Sequence, residues 1–165
     1  MARQNPELPL NLVLVGASGW HPELLQQALE RAAELRHRII MPGHVADQDL
    51  ASLYSGAHAF AYLSEYEGFG LPPLEAMQCG VPVITSNTTS LPEVVGDAGV
   101  LLNPLDETAI AEVLCRLCQD EDWRKELGAR GTKRAARFTW ARCVDNVVAT
   151  YHAAAEASGH AKTQY

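Results

Sequence analysis

The chain has 165 residues, 47% of them apolar, with a formal net charge of −7 and a pI near 5.3. That length suits one domain with a real core, and the acidic balance argues against nucleic acid or an anionic membrane surface as a partner. No apolar run approaches the ~18 residues of a spanning helix, and the opening Met-Ala-Arg-Gln-Asn-Pro lacks a signal-peptide core, so a cytoplasmic protein with at most peripheral membrane contact is expected.

After an N-terminal extension over residues 1–10, Leu12 to Val15 reads as a short buried strand ending in the turn Gly16-Ala17-Ser18-Gly19. His21 to Leu35 has helical spacing, with Leu24, Leu25, Ala28 and Ala32 on one face. Arg38 to Met41 is a second strand, closed by Pro42-Gly43, and Asp47 to Gly56 a short helix. Ala57 to Leu63 is a third strand, Pro72 to Gln78 a helix, and Val81 to Thr85 a fourth strand. One helical turn at Leu91–Val95 and a fifth strand at Gly99–Leu102 follow. Strands alternating with helices predict an α/β fold, a doubly wound parallel sheet of about five strands.

Beyond Asn103-Pro104 only helices are expected. Asp106 caps one that runs to Cys118, and Trp123 to Phe138 forms a basic one interrupted by Gly128 and Gly131. Thr139 caps a third, and residues 153–165 read as a flexible tail. Trp123 and Trp140 read as anchors against the sheet, and the basic run from Arg124 to Arg137 as a solvated face.

Cys79, Cys115, Cys118 and Cys143 do not make a disulfide framework in a chain of this size. Cys115 and Cys118 have zinc-like spacing but lie in a helical pattern without a second ligand pair, so no metal site is expected. The six histidines are scattered, and His44 alone sits in a promising loop.

In doubly wound sheets, ligands bind outside the carboxyl ends of the strands. The loops Gly16–Gly19, Pro42–Val45, Ser64–Gly70 and Ser86–Ser90 all follow strands and should converge there. Of these, Ser64–Gly70 is the richest in chemistry. Glu67 and Glu75 flank Gly68-Phe69-Gly70 and Pro72-Pro73, a glycine turn running into a helix start. Free N–H groups and the helix dipole suit phosphate there. Carboxylates suit hydroxyl donors instead, such as those of a sugar or ribose. A phosphorylated sugar or nucleotide satisfies both. The run Asn87, Thr88, Thr89 and Ser90 is expected to cap the following helix.

With these residues the chain resembles the donor-binding, C-terminal domain of retaining GT-B glycosyltransferases of the glycosyl transferases group 1 family, mannosyltransferase-like in detail. The family motif is Glu, seven residues, Glu, and Glu67 and Glu75 stand in that register. Tyr62-Leu63-Ser64, Glu67-Gly68-Phe69-Gly70-Leu71-Pro72, Cys79-Gly80-Val81-Pro82-Val83-Ile84, Ser90-Leu91-Pro92-Glu93-Val94 and Phe138-Thr139-Trp140 also look like family segments. The resemblance implies a Rossmann-like nucleotide-sugar-binding domain over residues 11–152, one half of a GT-B fold. It implies Glu67 as the catalytic residue facing the donor sugar, and Glu75 accepting from the ribose hydroxyls. Ser64, Gly68, Phe69, Gly70 and Leu71 would border sugar and diphosphate, Gly43, His44 and Val45 the base, and Gly16 the phosphates. The implied reaction is metal-independent transfer of a hexose, with retention, from GDP-mannose or UDP-glucose, which are substrates; no cofactor is implied.

Two departures stand out. The family usually carries an Arg and a Lys that neutralise the diphosphate on the first strand and loop of this same half, upstream of Leu12, where this sequence has only Met1 to Leu10, and Leu63 replaces a common proline. The expectation is therefore a missing N-terminal acceptor-binding domain as partner, and an isolated chain that transfers little. The alternative reading is a non-catalytic nucleotide-sugar-binding or assembly module. A dehydrogenase is disfavoured, because the first loop lacks G-x-G-x-x-G.

Overall fold

The computed structural model describes residues 10–16 and 22–158. The expected extension up to residue 9, the stretch from Ala17 to His21 and the tail from Gly159 lie outside the described residues. In chain order the elements are β1 (Leu12–Val15), α1 (Pro22–Arg31), a 3-10 helix (Ala33–Arg38), β2 (Ile39–Gly43), α2 (Asp47–Ser55), β3 (Phe60–Tyr62), α3 (Leu71–Gln78), β4 (Val83–Ser86), α4 (Leu91–Val95), a 3-10 turn (Gly96–Ala98), β5 (Val100–Leu102), α5 (Glu107–Gln119), α6 (Glu121–Ala135) and α7 (Trp140–Ala157). The five expected strands are present and every pairing is parallel. They join as a pair, β1-β2, and a triple, β3-β4-β5, and not as one ladder.

The centre of the triple is β4, whose four residues are all buried. Side chains alternate across a strand, so Val83 and Ile84 enter opposite layers. Val83 packs with Tyr54, Leu74, Met77, Val94 and Val95. Ile84 packs with Leu117 and Leu127, joined by Val113, Leu114 and Trp123. Both faces are therefore covered, as a parallel sheet requires. Strand β3 is shorter than its apolar run. The Phe60 N–H donates to the Pro82 carbonyl at 2.9 Å, and Pro82 has no N–H with which to extend the ladder.

The expected burial of β1 is not found. Leu12, Val13 and Val15 are 53%, 39% and 45% exposed, and Ile40 and Met41 of β2 are exposed too. The two clustered cores are built on the triple, and neither includes a residue of this pair. The helix expected over His21–Leu35 ends at Arg31, and a tighter turn takes over to Arg38. There the Arg38 guanidinium donates to the Leu10 carbonyl at 2.8 Å, tying the two strand starts together.

Asp106 and Thr139 cap α5 and α7 as expected, accepting from the N–H groups of Ala109 and Arg142. Asp120 caps α6 from the Trp123 N–H, which starts that helix two residues early. Two other expectations fail here. Trp140 is 83% exposed and anchors nothing, whereas Trp123 is part-buried in the second core. Helix α7 runs to Ala157, so the first five residues of the expected tail are helical, four of them alanine, the strongest helix former. No described helix is long and apolar enough to cross a membrane.

Gly128 and Gly131 do not interrupt α6; they let it approach α3. A Cβ on Gly128 would lie 2.2 Å from the Gly80 carbonyl oxygen, and one on Gly131 would lie 3.2 Å from Met77. Thr132 completes the contact by donating to the Met77 carbonyl at 3.2 Å. Replacing glycine by alanine inside a helix ordinarily stabilises by about 1 kcal/mol. Here overpacking against rigid backbone outweighs that gain, and Gly128→Ala is expected to lower stability by about 2 kcal/mol in urea denaturation.

Candidate functional site

The site forms where the loops after β3 and β4 lie side by side. The two strands pair in register from Phe60↔Val83 to Tyr62↔Thr85, so their following segments leave the sheet together. The β4 loop then holds the β3 loop by its hydroxyls. Ser86 donates to the Ser64 carbonyl, Thr88 to the Glu65 carbonyl at 3.2 Å, and Ser90 to the Glu67 carbonyl at 3.0 Å. In the reverse sense the Glu67 N–H donates to the Thr89 hydroxyl at 3.2 Å. This corrects the capping role expected for the run: Ser90 makes no side-chain cap of α4. Thr89 is the one non-glycine residue with positive φ among those described, at 53°. A β-branched residue there is strained. The bond to the Glu67 amide is what the strained geometry gains.

Glu67 and Glu75 are each half-buried and each engaged by a tyrosine. The Tyr62 hydroxyl donates to Glu67 Oε1 at 2.6 Å, a short charge-assisted bond, and the Tyr54 hydroxyl to Glu75 Oε2 at 3.2 Å. Burial first, then the neighbouring Glu75 carboxylate, pushes Tyr54 up to about 12. Burial, then the bond to Glu67, does the same for Tyr62. Both hydroxyls therefore keep their protons near neutrality and act as donors. The stabilisation linked to these shifts is complete below the ordinary tyrosine value of 10 and is lost as pH rises through about 12. A carboxylate accepts about four hydrogen bonds, so one tyrosine leaves each acid capacity for ligand hydroxyls.

Between the acids, Gly70 begins α3 with φ 104°, and a Cβ there would lie 2.7 Å from Leu91. Its glycine is demanded by the turn, and Leu91 of α4 leaves no room for a side chain there. Around Gly68 no atom lies within 4 Å of a Cβ position, which leaves that side of the loop open. The Phe69 ring leans edge-on against Phe138 at 6.1 Å. Phe138 in turn lies under the Arg134 guanidinium, which donates to the Glu93 and Val94 carbonyls at the end of α4. Arg134 is thus a helix cap and an aromatic partner, and Arg124 likewise bonds the Leu117 and Cys118 carbonyls. The solvated-face reading of the basic run fails for both.

Anion capacity at the start of α3 is narrower than a full helix terminus. Pro72 and Pro73 have no N–H, and the Leu74 N–H already points to the Gly70 carbonyl at 3.4 Å. The amides of Gly68, Phe69, Gly70 and Leu71 remain, and none of the segments 43–45, 64–75 and 86–90 holds a Lys or Arg. The other expected residues form a second group. The Gly16 N–H donates to the Gly43 carbonyl at 2.9 Å, joining the ends of β1 and β2, with exposed His44 and half-buried Val45 directly following. Asp47-Gln48-Asp49 is an Asp-x-Asp sequence, a common metal-binding pattern, but its acids sit in the first turn of α2. Among the described residues no three His, Cys, Asp or Glu side chains form a metal-holding group. What the sequence reading missed are Tyr54, the clamp hydroxyls and Arg134. The pairing of β3 with β4 was the available signal for the clamp.

Comparison with known proteins gives a consistent picture. The model of the family described as glycosyl transferases group 1 matches residues 2–134. The O-antigen chain mannosyltransferase B of Escherichia coli is 47% identical over 140 residues, covering 85% of this chain and 36% of the relative. A serotype-specific mannosyltransferase WbdA of Escherichia coli is 41% identical over 138 residues, covering 82% of this chain and 17% of the relative. Among solved structures, sucrose-phosphate synthase from Thermosynechococcus elongatus superposes with a TM-score of 0.75 at 29% identity, over 89% of this chain and 39% of that one. Anabaena Alr3699/HepE, solved in complex with UDP-glucose, also gives 0.75, at 22% identity, over 87% of this chain and 41% of that one, a likeness of fold alone. The chain thus spans well under half the length of these proteins.

The clamp carries a direct test. Ser90→Ala leaves the Glu67 carbonyl without its donor, and is expected to cost about 1 kcal/mol. It should also speed amide hydrogen exchange across residues 64–70 selectively, read by mass spectrometry.

Proposed function

The chain belongs to the glycosyl transferases group 1 family, and from that membership we propose that it is the donor nucleotide-sugar-binding domain of a retaining hexosyltransferase. The observation that carries this reading is the pair of half-buried acids, Glu67 and Glu75, set on either side of an open glycine turn, each with acceptor capacity left after its tyrosine bond. Glu75 accepts from the ribose hydroxyls of the donor nucleotide. Glu67 accepts from the donor sugar and holds its reacting carbon in line with the acceptor. The amides of Gly68, Phe69, Gly70 and Leu71 border the diphosphate, with Ser64 at the loop's start; Gly16, Gly43, His44 and Val45 border base and phosphates.

The mannosyltransferase relatives favour a mannosyl donor such as GDP-mannose over UDP-glucose. Charge on the leaving diphosphate needs donors aimed at it, and a few amides without a cation stabilise it poorly. On this reading the cations come from an Arg and a Lys on a strand and loop of the donor-binding half that lie upstream of Leu12 in the family, and the acceptor site from an N-terminal domain that acts with this one. Transfer is metal-independent and proceeds with retention, the acceptor attacking on the face from which the diphosphate leaves.

Calorimetric titration with GDP, UDP, GDP-mannose and UDP-glucose tests the donor assignment. Binding is expected to be weak and strongest for one guanosine or uridine ligand, and Glu75→Ala should reduce it by at least about tenfold, the worth of a charged hydrogen bond, with an unchanged circular-dichroism spectrum. Equal binding by Glu75→Ala would remove the ribose role. Incubated alone with donor and acceptor sugars, the chain is expected to transfer little; robust turnover without a partner domain would overturn the division of labour. The anomeric configuration of product made with the partner domain, read by NMR, checks retention, and chelator-insensitive turnover checks metal independence.

A further inference from the structure

Glu67 and Glu75 belong to different elements, a loop and a helix, yet a continuous line of aromatic contacts runs between them. Tyr54 of α2 is buried and bonds Glu75. Its ring meets Phe60 edge-on at 5.2 Å with the planes 89° apart. Phe60 stacks on Tyr62 at 6.0 Å with the planes 19° apart, and Tyr62 bonds Glu67 at 2.6 Å. We propose that Tyr54 and Tyr62, linked through Phe60, are positioning residues that fix the separation and orientation of the two acids for the ribose and sugar ends of one donor. The inference rests on the donor-binding reading of Glu67 and Glu75 given above.

The physical case is one of freedom removed. A glutamate side chain loses much rotamer entropy when ordered, and a loop acid without a partner would spend that on binding ligand. A hydroxyl bonded to one carboxylate oxygen selects the rotamer in advance and leaves the other lone pairs for the ligand. Aromatic pairs in edge-on or offset stacks add a preferred geometry beyond simple burial, so movement of one tyrosine is resisted by the other. Phe60 and Tyr62 also sit on β3, which the ladder to β4 holds in register. The two ends of the brace serve different parts of the ligand, and that division is what a merely structural role would not produce.

Tyr54→Phe and Tyr62→Phe keep the rings and remove only the hydroxyls. Two measurements on the whole chain decide the matter: the carboxyl-carbon NMR shifts of Glu67 and Glu75 without ligand, and affinities for a nucleoside diphosphate and for the corresponding nucleotide sugar. Tyr62→Phe should move the Glu67 signal and weaken the nucleotide sugar by about tenfold while sparing the nucleoside diphosphate. Tyr54→Phe should move the Glu75 signal and weaken both ligands. Phe60→Leu, which keeps both hydroxyls, should move both signals. Unmoved carboxyl signals overturn the brace whatever the affinities, and so do moved signals with both affinities intact. If Glu67→Gln and Glu75→Gln bind both ligands as the wild type does, the donor-binding reading fails and the positioning role falls with it. Loss of binding in those two variants, with the tyrosine variants unaffected, leaves the reading standing and removes the brace alone.

Discussion

The parallel pairing of β3 with β4 is the constraint from which the site follows. It places two loops side by side, each with backbone groups that a strand no longer satisfies. Buried or half-buried carbonyls need donors. Here the donors are the hydroxyls of Ser86, Thr88 and Ser90, reaching the carbonyls of Ser64, Glu65 and Glu67. The loop that carries Glu67 is therefore held by side chains from its neighbour and not by its own glycines. Thr89 shows how far this goes, since it accepts a left-handed backbone at 53° while its hydroxyl meets the Glu67 amide.

A second set of contacts positions the other acid. Glu75 rides on α3, and α3 is pinned from behind by α6 at the Gly128–Gly80 approach and by the Thr132–Met77 bond. From the same helix Arg134 closes the end of α4 and carries Phe138, on which Phe69 leans. The C-terminal helices thus act on the site through packing, although α5 and α6 supply none of its acids. Rigid support of this kind is what lets two carboxylates on separate elements keep one spacing.

For a family of transferases, the arrangement divides labour along the chain. The triple sheet with its two packed faces carries the acids, the glycine turn and the clamp. The β1-β2 pair carries the Gly16–Gly43 contact, and it leaves Leu12, Val13, Ile40 and Met41 open. The segments 43–45, 64–75 and 86–90 offer backbone amides and hold no Lys or Arg. The proposed transfer therefore depends on charge supplied from outside these segments, in keeping with relatives that are more than twice as long.

Much of this was legible from residues alone, for a physical reason. Strands and amphipathic helices announce themselves by period, so Leu12–Val15, Asp47–Ser55, Leu91–Val95 and the Asp106 and Thr139 caps lie where local pattern put them, although the pattern did not foretell that Leu12–Val15 stays exposed. The Glu67 and Glu75 spacing was visible too, because a short loop and the helix after it keep their acids close in sequence. Long-range partnerships were not. Whether Ser90 caps its own helix or bonds Glu67, whether Arg134 faces water or the end of α4, and whether Trp140 is buried or open depend on what folds against them. The sequence by itself determined the elements and the two acids, since these rest on local periodicity and spacing. Only the tertiary structure decided which hydroxyls hold those acids and their loop, since apart from the local Tyr62–Glu67 pair the partners lie 21 to 23 residues apart and meet through strand pairing and packing that no local pattern encodes.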